Sequence, residues 1–420
     1  MRQKETPNIP HFLCDTWWYG LSQRLPENRF NDLVVIRATQ GFDAVQLVVG
    51  IPPEVGPENS NAASDFGPAW KLNGEFNQKY LDEARKKIQL LNSHEISVII
   101  YGAWGQQIEW LGQEKMKNWW GEIIKNFDDL NVIYCITGES DILVGEEKWL
   151  LPDKTTDELG VIQLASFLPP RLAYLGKKIV RLITEPLNKY KAEERREKWS
   201  DVLDFVSKKT SKPIIIHPLP SKTSEQVVNN PELLGAVTVQ TGHDLQTRKI
   251  IWQSTFNSSK NLPSKPFINL EPWYEGIKDQ FGINDQLYSY WASMMAGAHA
   301  YCYGAHGVWN VGDGEFLAHW GKQTLDEAMA LDTPRLIGIS HKLFIESGFV
   351  DYKKVEVEEK DGELIKITRT NDQGDSVCYI PELSLIDNLP KGKVFLPLTG
   401  EFVGGCPKKG QAVIVVIKTS

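Results

Sequence analysis

KPFINLEPWYEGIKDQFGINDQLYSYWASMMAGAHAYCYGAHGVWNV, residues 265–311, contains two short apolar runs separated by a helix-like segment rich in small residues. The first run, 266–270, ends on a carboxylate, Glu271, followed at once by Pro272, Trp273 and Tyr274. The second, 299–303, leads from Tyr303 into His306 and Trp309. An apolar strand that delivers an acid into an aromatic, His-bearing loop places a charge where burial is costly. The rest of the chain is therefore read for a partner to Glu271.

Outward from this stretch the chain alternates. Residues 11–15 read as a strand, and 28–39 as a helix with Phe30, Leu33, Val34 and Ala38 on one face and Gly41 as its C-terminal cap. Residues 42–50 form a β-branched run of the kind buried on both faces. A helix is expected over 77–93, a strand over 97–101, and an amphipathic helix carrying Met116, Trp119, Trp120, Ile123, Ile124 and Phe127. Residues 131–137 give a fourth strand, and 213–217, 236–240, 266–270 and 299–303 give four more. Residues 141–191 break the rhythm and read as an insertion, after which a helix resumes over 192–209. Eight apolar strands alternating with helices over about 340 residues predict a (β/α)8 TIM barrel with elaborated loops, in residues 1–348. A doubly wound sheet is the other candidate, but neither GxGxxG nor a P-loop is present to anchor one. From 349 to 420 the pattern changes to short alternating strands with turn signals, predicting a small all-β, sandwich-like domain packed on the barrel.

Composition narrows the function. Of 420 residues, 24% are charged and 41% apolar, which describes an ordinary globular protein. A formal net charge of −8 argues against nucleic acid as a partner, because neutralising phosphates needs a basic surface. No run of about 18 apolar residues is present, so no membrane span is expected. Fourteen Trp is a high count, read either as core filling or as flat platforms for the apolar faces of ligands such as sugars. The five Cys show no CxxC spacing, and buried, reduced thiols are expected. No HExxH or clustered His/Asp ligand set is found, so neither a metal nor another cofactor is expected. The visible start has no apolar h-region and points to the cytoplasm; a leader removed from the chain would make the protein secreted or periplasmic.

In such a barrel the active site forms at the carboxyl ends of the strands. The first strand delivers Asp15, Trp17 and Trp18; the third Trp104; the fourth Glu139; the fifth His217; the sixth Gln240 and His243. The seventh delivers Glu271, Trp273 and Tyr274, and the eighth Tyr303, His306 and Trp309. Two glutamates within a ring of Trp, Tyr and His match two-carboxylate glycoside hydrolysis. One must be a protonated acid with a raised pKa, the other an ionised nucleophile or base. Asp141 is the alternative acid and Glu275 the alternative nucleophile, although Glu275, four residues past the strand end, is expected rather to pair with a cation.

On these residues the chain resembles the apiosidase-like glycoside hydrolases, glycoside hydrolase family 140 and its relatives. The matching motifs are Asp15-Thr16-Trp17-Trp18, GFDAVQLVVG, Gln240-Thr241-Gly242-His243, Leu270-Glu271-Pro272-Trp273-Tyr274-Glu275, Tyr303-Gly304-Ala305-His306-Gly307-Val308-Trp309 and the tail FLPLTGEFVGG. The resemblance implies a (β/α)8 catalytic domain with a C-terminal β-sandwich, Glu139 as acid/base and Glu271 as nucleophile of a retaining mechanism. It departs at the fourth strand, where Thr137-Gly138-Glu139 stands in place of the family's Gly-Gly-Asp. Retention implies carboxyl groups about 5–5.5 Å apart. The long loop over 52–71 and the insertion favour a closed pocket and exo action on a carbohydrate. The competing functions are a metal-dependent barrel hydrolase and a non-catalytic carbohydrate-binding barrel. Polysaccharide-degrading relatives imply export.

Overall fold

The computed structural model describes residues 9–142, 190–220, 222–261 and 265–419. Eight strands run parallel: β1 (Phe12–Trp17), β2 (Ala44–Val48), β3 (Ser97–Tyr101), β4 (Val132–Cys135), β5 (Ile214–Ile215), β6 (Val237–Gln240), β7 (Phe267–Glu271) and β8 (Ala300–Cys302). Their order, β5-β4-β3-β2-β1-β8-β7-β6, is that of a nearly closed TIM-like barrel. At the seam between β5 and β6 the ladder gives way to single bonds. Gly235 N–H donates to Ile214 O (2.8 Å), and Thr238 Oγ1 donates to Ile216 O. Most of the expected insertion, 143–189, including Trp149, lies outside the described residues.

The outer helices follow the expected periodicity. Glu27–Thr39 buries Phe30, Leu33 and Val34; Gln78–Ser93 is capped by the Asn77 side chain; Gln113–Phe127 buries Met116, Trp119, Trp120 and Ile123. A helix over 190–207 resumes the pattern before β5. Inside the barrel, Gln46 donates to Leu270 O (2.8 Å) and to Thr16 Oγ1 (2.7 Å), and accepts from Tyr101 Oη (2.9 Å). One buried amide thereby connects β1, β2, β3 and β7 with its donors and acceptor satisfied. Cys14, Cys135, Cys302 and Cys378 are buried free thiols, while Cys406 is exposed.

The C-terminal region is one six-stranded antiparallel sheet, β13-β12-β14-β11-β10-β9. Its strands are β9 (Lys354–Lys360), β10 (Glu363–Thr370), β11 (Ser376–Ile380), β12 (Lys393–Leu396), β13 (Glu401–Val403) and β14 (Val413–Ile417). Alternation splits it cleanly. Val377, Tyr379, Phe395 and Ile414 join the barrel core; Cys378, Ile380, Val394, Val413 and Val415 form a second small core with Leu383, Ile386 and Leu389. The second layer against this sheet is the barrel helix Ile283–Ala296, whose Trp291 stacks on Tyr379 at 6.3 Å. Arg369 of β10 pins the junction, donating to Met294 O (3.0 Å), Tyr352 O (2.8 Å) and Val350 O (3.0 Å).

Candidate active site

Glu139 lies just past β4 in a left-handed backbone conformation, φ 41°. A side-chain-bearing residue holds this geometry only where its neighbours enforce it. Here the backbone is clamped on both sides. Gly138 N–H donates to Ala103 O (3.0 Å), Gly105 N–H to Gly138 O (2.7 Å), Ile142 N–H to Glu139 O (2.9 Å) and Ser140 N–H to His217 O (2.9 Å). Gly138 must be glycine, because a Cβ there would run into the Trp104 ring. That ring is thus laid against the turn, and its Nε1 donates to Glu139 Oε2 (3.0 Å). Gln240 Nε2, from the end of β6, reaches Glu139 Oε1 at 3.4 Å. Burial first, and then the charge of Glu271, push the Glu139 carboxyl up to about 8.

Glu271 reaches the same space through a defect in the sheet. Val239 pairs with Asn269, but Gln240 pairs with Glu271, so β7 carries one extra residue. Phe267 clusters with Val237 and Val239, and the partner of Asn269, Tyr301, packs on the helix residue Tyr290. Strict alternation would send Glu271 to that helix-facing side with Phe267 and Asn269; the bulge turns it inward. There His243 Nε2 donates to Glu271 Oε1 (2.8 Å), and His217 Nε2 lies 3.7 Å from Oε2. Burial would raise the Glu271 carboxyl, but the His243 hydrogen bond, first among the opposing causes, outweighs it and lowers the pKa. Burial depresses the His217 imidazole to about 4, leaving it neutral near pH 7. Tyr274 tilts against His243 at 4.7 Å, in space available only because position 304 is glycine.

The described structure thus gathers Glu139, Glu271, Trp104, Gln240, His243 and Tyr274. Trp18 meets Tyr101 and Trp104 edge-on at 4.7 and 5.2 Å, on the same inner side. His217, expected at the end of the fifth strand, stands beside Glu271.

Other expected residues lie elsewhere, chiefly through strand parity. Asp15 and Trp17 alternate with the inward Thr16 and Trp18. The Asp15 carboxylate receives Arg37 Nε (2.6 Å), Trp17 Nε1 (2.7 Å) and Thr16 N–H (2.8 Å), and Trp17 packs on Phe30. Both therefore serve the strand–helix joint in place of the expected subsite. Tyr303, two residues beyond the outward Tyr301, donates to Glu275 Oε2 (2.6 Å). Glu275 also accepts from Thr333 Oγ1 (2.8 Å), so hydroxyls take the place of the expected cation, and burial raises its pKa. Trp273 faces the helices: its Nε1 donates to Thr247 Oγ1 (2.9 Å) and Asp244 O (3.1 Å), and its ring stacks on Phe281 at 4.8 Å. His306 bonds Gly321 O (2.6 Å) and braces the loop after β8, with Trp309 against it at 5.5 Å. Asp141 is held by Leu219 N–H (2.8 Å) and Lys222 Nζ (2.7 Å).

Three residues that the sequence reading passed over stand at the same mouth. Glu54, in the loop after β2, accepts from Trp320 Nε1 and contacts His319 Nε2 at 3.1 Å. Trp320 meets the His243 ring edge-on at 6.4 Å. The His319-Trp320 pair, a polar aromatic pair in the long connection after the eighth strand, was the available signal. Among the described residues no group of three or more His, Cys, Asp or Glu is arranged to hold a metal ion.

A parallel barrel that carries two buried carboxylates at its strand ends, one raised and one lowered in pKa, has the layout of a glycosidase site. Residues 2–349 match the family described as "Apiosidase-like, catalytic domain", and the chain belongs to that family; it is a glycoside hydrolase. No curated protein matches it. Among solved structures, it is similar to a glycoside hydrolase family 5 protein from Bacteroides vulgatus ATCC 8482, with a TM-score of 0.71 at 16% identity, covering 99% of this chain and 92% of that one. A second structure, described as a glycoside hydrolase, gives a TM-score of 0.71 at 15% identity, covering 99% and 94%. At such identities these likenesses speak for the fold.

Proposed function

We propose that the protein hydrolyses a terminal glycosidic bond of a carbohydrate with retention of configuration, using Glu139 as acid/base and Glu271 as nucleophile. The observation that carries this reading is the placement of two buried carboxyls, Glu139 just past β4 and Glu271 at the end of β7. Glu139 is bonded by Trp104 and Gln240 and Glu271 by His243, with burial raising Glu139 to about 8 and the His243 bond lowering Glu271. In the first step Glu139 gives its proton to the leaving oxygen as a Glu271 oxygen bonds the anomeric carbon and the glycosidic C–O bond breaks. In the second, the Glu139 carboxylate takes a proton from water, whose oxygen displaces Glu271 and restores both groups. His243 holds Glu271 by its Nε2–H and so keeps the attacking carboxylate ionised and oriented. Trp104 and Trp18 supply the apolar wall that a sugar face needs. Gln240 Oε1 is buried and lacks a hydrogen-bond partner among the described residues, which suits it to a sugar hydroxyl.

The test is hydrolysis of an aryl-glycoside panel and of plant and microbial oligosaccharides by the wild type, Glu139→Ala and Glu271→Ala. Glu271→Ala should lose about 10⁴-fold or more in kcat. Glu139→Ala should lose about 10²–10⁴-fold on natural linkages and much less on activated aryl leaving groups that need no proton. NMR of the first-formed anomer should show retention, and a 2-fluoro glycoside should label Glu271. Full activity in both variants would refute the assignment, and an inverted first product would refute retention.

A further inference from the structure

Neither step above uses Glu54, yet the fold goes to some length to place it. Its loop leaves β2 through a pinned base: Gly50 N–H donates to Tyr80 Oη (3.0 Å), Gln107 Nε2 to Ile51 O (2.8 Å) and Tyr19 Oη to Pro53 O. Ile51 and Val55 are fully buried, and Glu54 between them adopts φ 66°, costly for a residue with a Cβ. That turn sends the carboxylate to Trp320 and His319 of the loop after β8. The far end of the same loop is fixed independently. Arg24 donates to Asn310 O (3.2 Å) and Val311 O (2.9 Å), pairs with Asp313 (2.9 Å) and lies over the Phe316 ring at 3.9 Å. Trp320 is held on its other side by Lys278, whose Nζ lies 5.3 Å from the ring centroid and donates to His243 O (3.2 Å). The loops following β2, β6 and β7 thus converge on one indole of the loop after β8, beside the histidine that holds Glu271.

We propose that Glu54 is a specificity-determining positioning residue: it ties the loop after β8 to the loop after β2 so that Trp320 walls the pocket beside His243 and admits one terminal sugar. This rests on the two-carboxylate reading and supplies what that reading lacks, a residue basis for action at chain ends. An endo-acting barrel needs a groove open on both sides of the cleaved bond; a Trp fastened across the mouth removes one side. Glu54 touches no reacting atom in this scheme and acts through Trp320.

The test compares the wild type with Glu54→Ala, Glu54→Gln, Trp320→Ala and the exposed-loop control Glu58→Ala. The probes are an aryl glycoside of a hydrolysed sugar and an oligosaccharide carrying the same linkage internally. Glu54→Ala and Trp320→Ala should raise KM about tenfold with kcat within about threefold, and should release internal fragments that the wild type does not. Glu54→Gln keeps an oxygen for the Trp320 N–H and should recover most of the KM; Glu58→Ala should match the wild type. Hydrogen exchange gives a readout free of activity: amides of 316–322 should lose protection in Glu54→Ala and regain it in Glu54→Gln. Unchanged exchange in Glu54→Ala, or unchanged KM and products in a folded variant, would overturn the proposal. So would a fall in kcat alone, which would make Glu54 a catalytic group. Activity surviving Glu271→Ala would instead overturn the mechanism, so the two failures are distinguishable.

Discussion

Glu139 holds its proton near neutrality because burial, and then the charge of Glu271, outweigh the bonds from Trp104 and Gln240, which among the described residues are neutral donors. The pH profile follows. The basic limb of kcat/KM should fall near pH 8, where Glu139 ionises, and the acid limb should lie below the ordinary glutamate value, because the His243 hydrogen bond lowers Glu271. Trp104 donates to the ionised form and so lowers the Glu139 pKa; Trp104→Phe should move the basic limb to higher pH, and a shift to lower pH would contradict the arrangement. At this scale the sequence revealed the carboxylates and their aromatic company but not which way each side chain points. Asp15, Trp17 and Tyr303 are the residues one pleat away from the inward set. A motif read as a string does not say which of its members share a face.

Between elements, the decisive features are the β7 bulge and the docking of the C-terminal sheet. Eight apolar runs made the barrel legible, because a strand buried on both faces must be apolar along its length. The bulge was not legible, since no glycine or proline in Phe267–Glu271 marks it; only pairing with β6 reveals the extra residue. The alternation of residues 376–380 likewise predicted a two-faced sheet but not the helix that would cover one face. Arg369 measures how far that docking matters. It is buried, its guanidinium is depressed to about 10 by burial, and it satisfies three backbone carbonyls from the barrel helix and the linker. Arg369→Met should leave those carbonyls without their partner and cost about 3 kcal/mol, read as a lower denaturant midpoint at unchanged slope. A loss below about 0.5 kcal/mol would mean that Trp291 and Tyr379 suffice to hold the sheet.

For the molecule as a whole, acid should be the weak side. His217, His299 and His306 are each held neutral by burial, with pKa values near 4 against an ordinary 6.5. Between those limits the unfolded chain binds more protons than the folded one, so stability rises with pH through this window. The contribution is fully present above about 6.5 and is lost as pH falls through about 4. Melting temperature should therefore drop steadily from pH 6.5 to 4, and His299→Gln, far from the carboxylates, should flatten that slope. A flat profile in the wild type would refute the neutral assignment. The seam described above has a different consequence for the whole. β1 to β5 form one continuous arc and bring Glu139; β6 to β8 form the other and bring Glu271. On the proposed mechanism neither arc holds both carboxylates, so turnover should appear only once the cylinder has closed. The reaction is in that sense a report of tertiary assembly, silent in any half-formed intermediate that exposes the site.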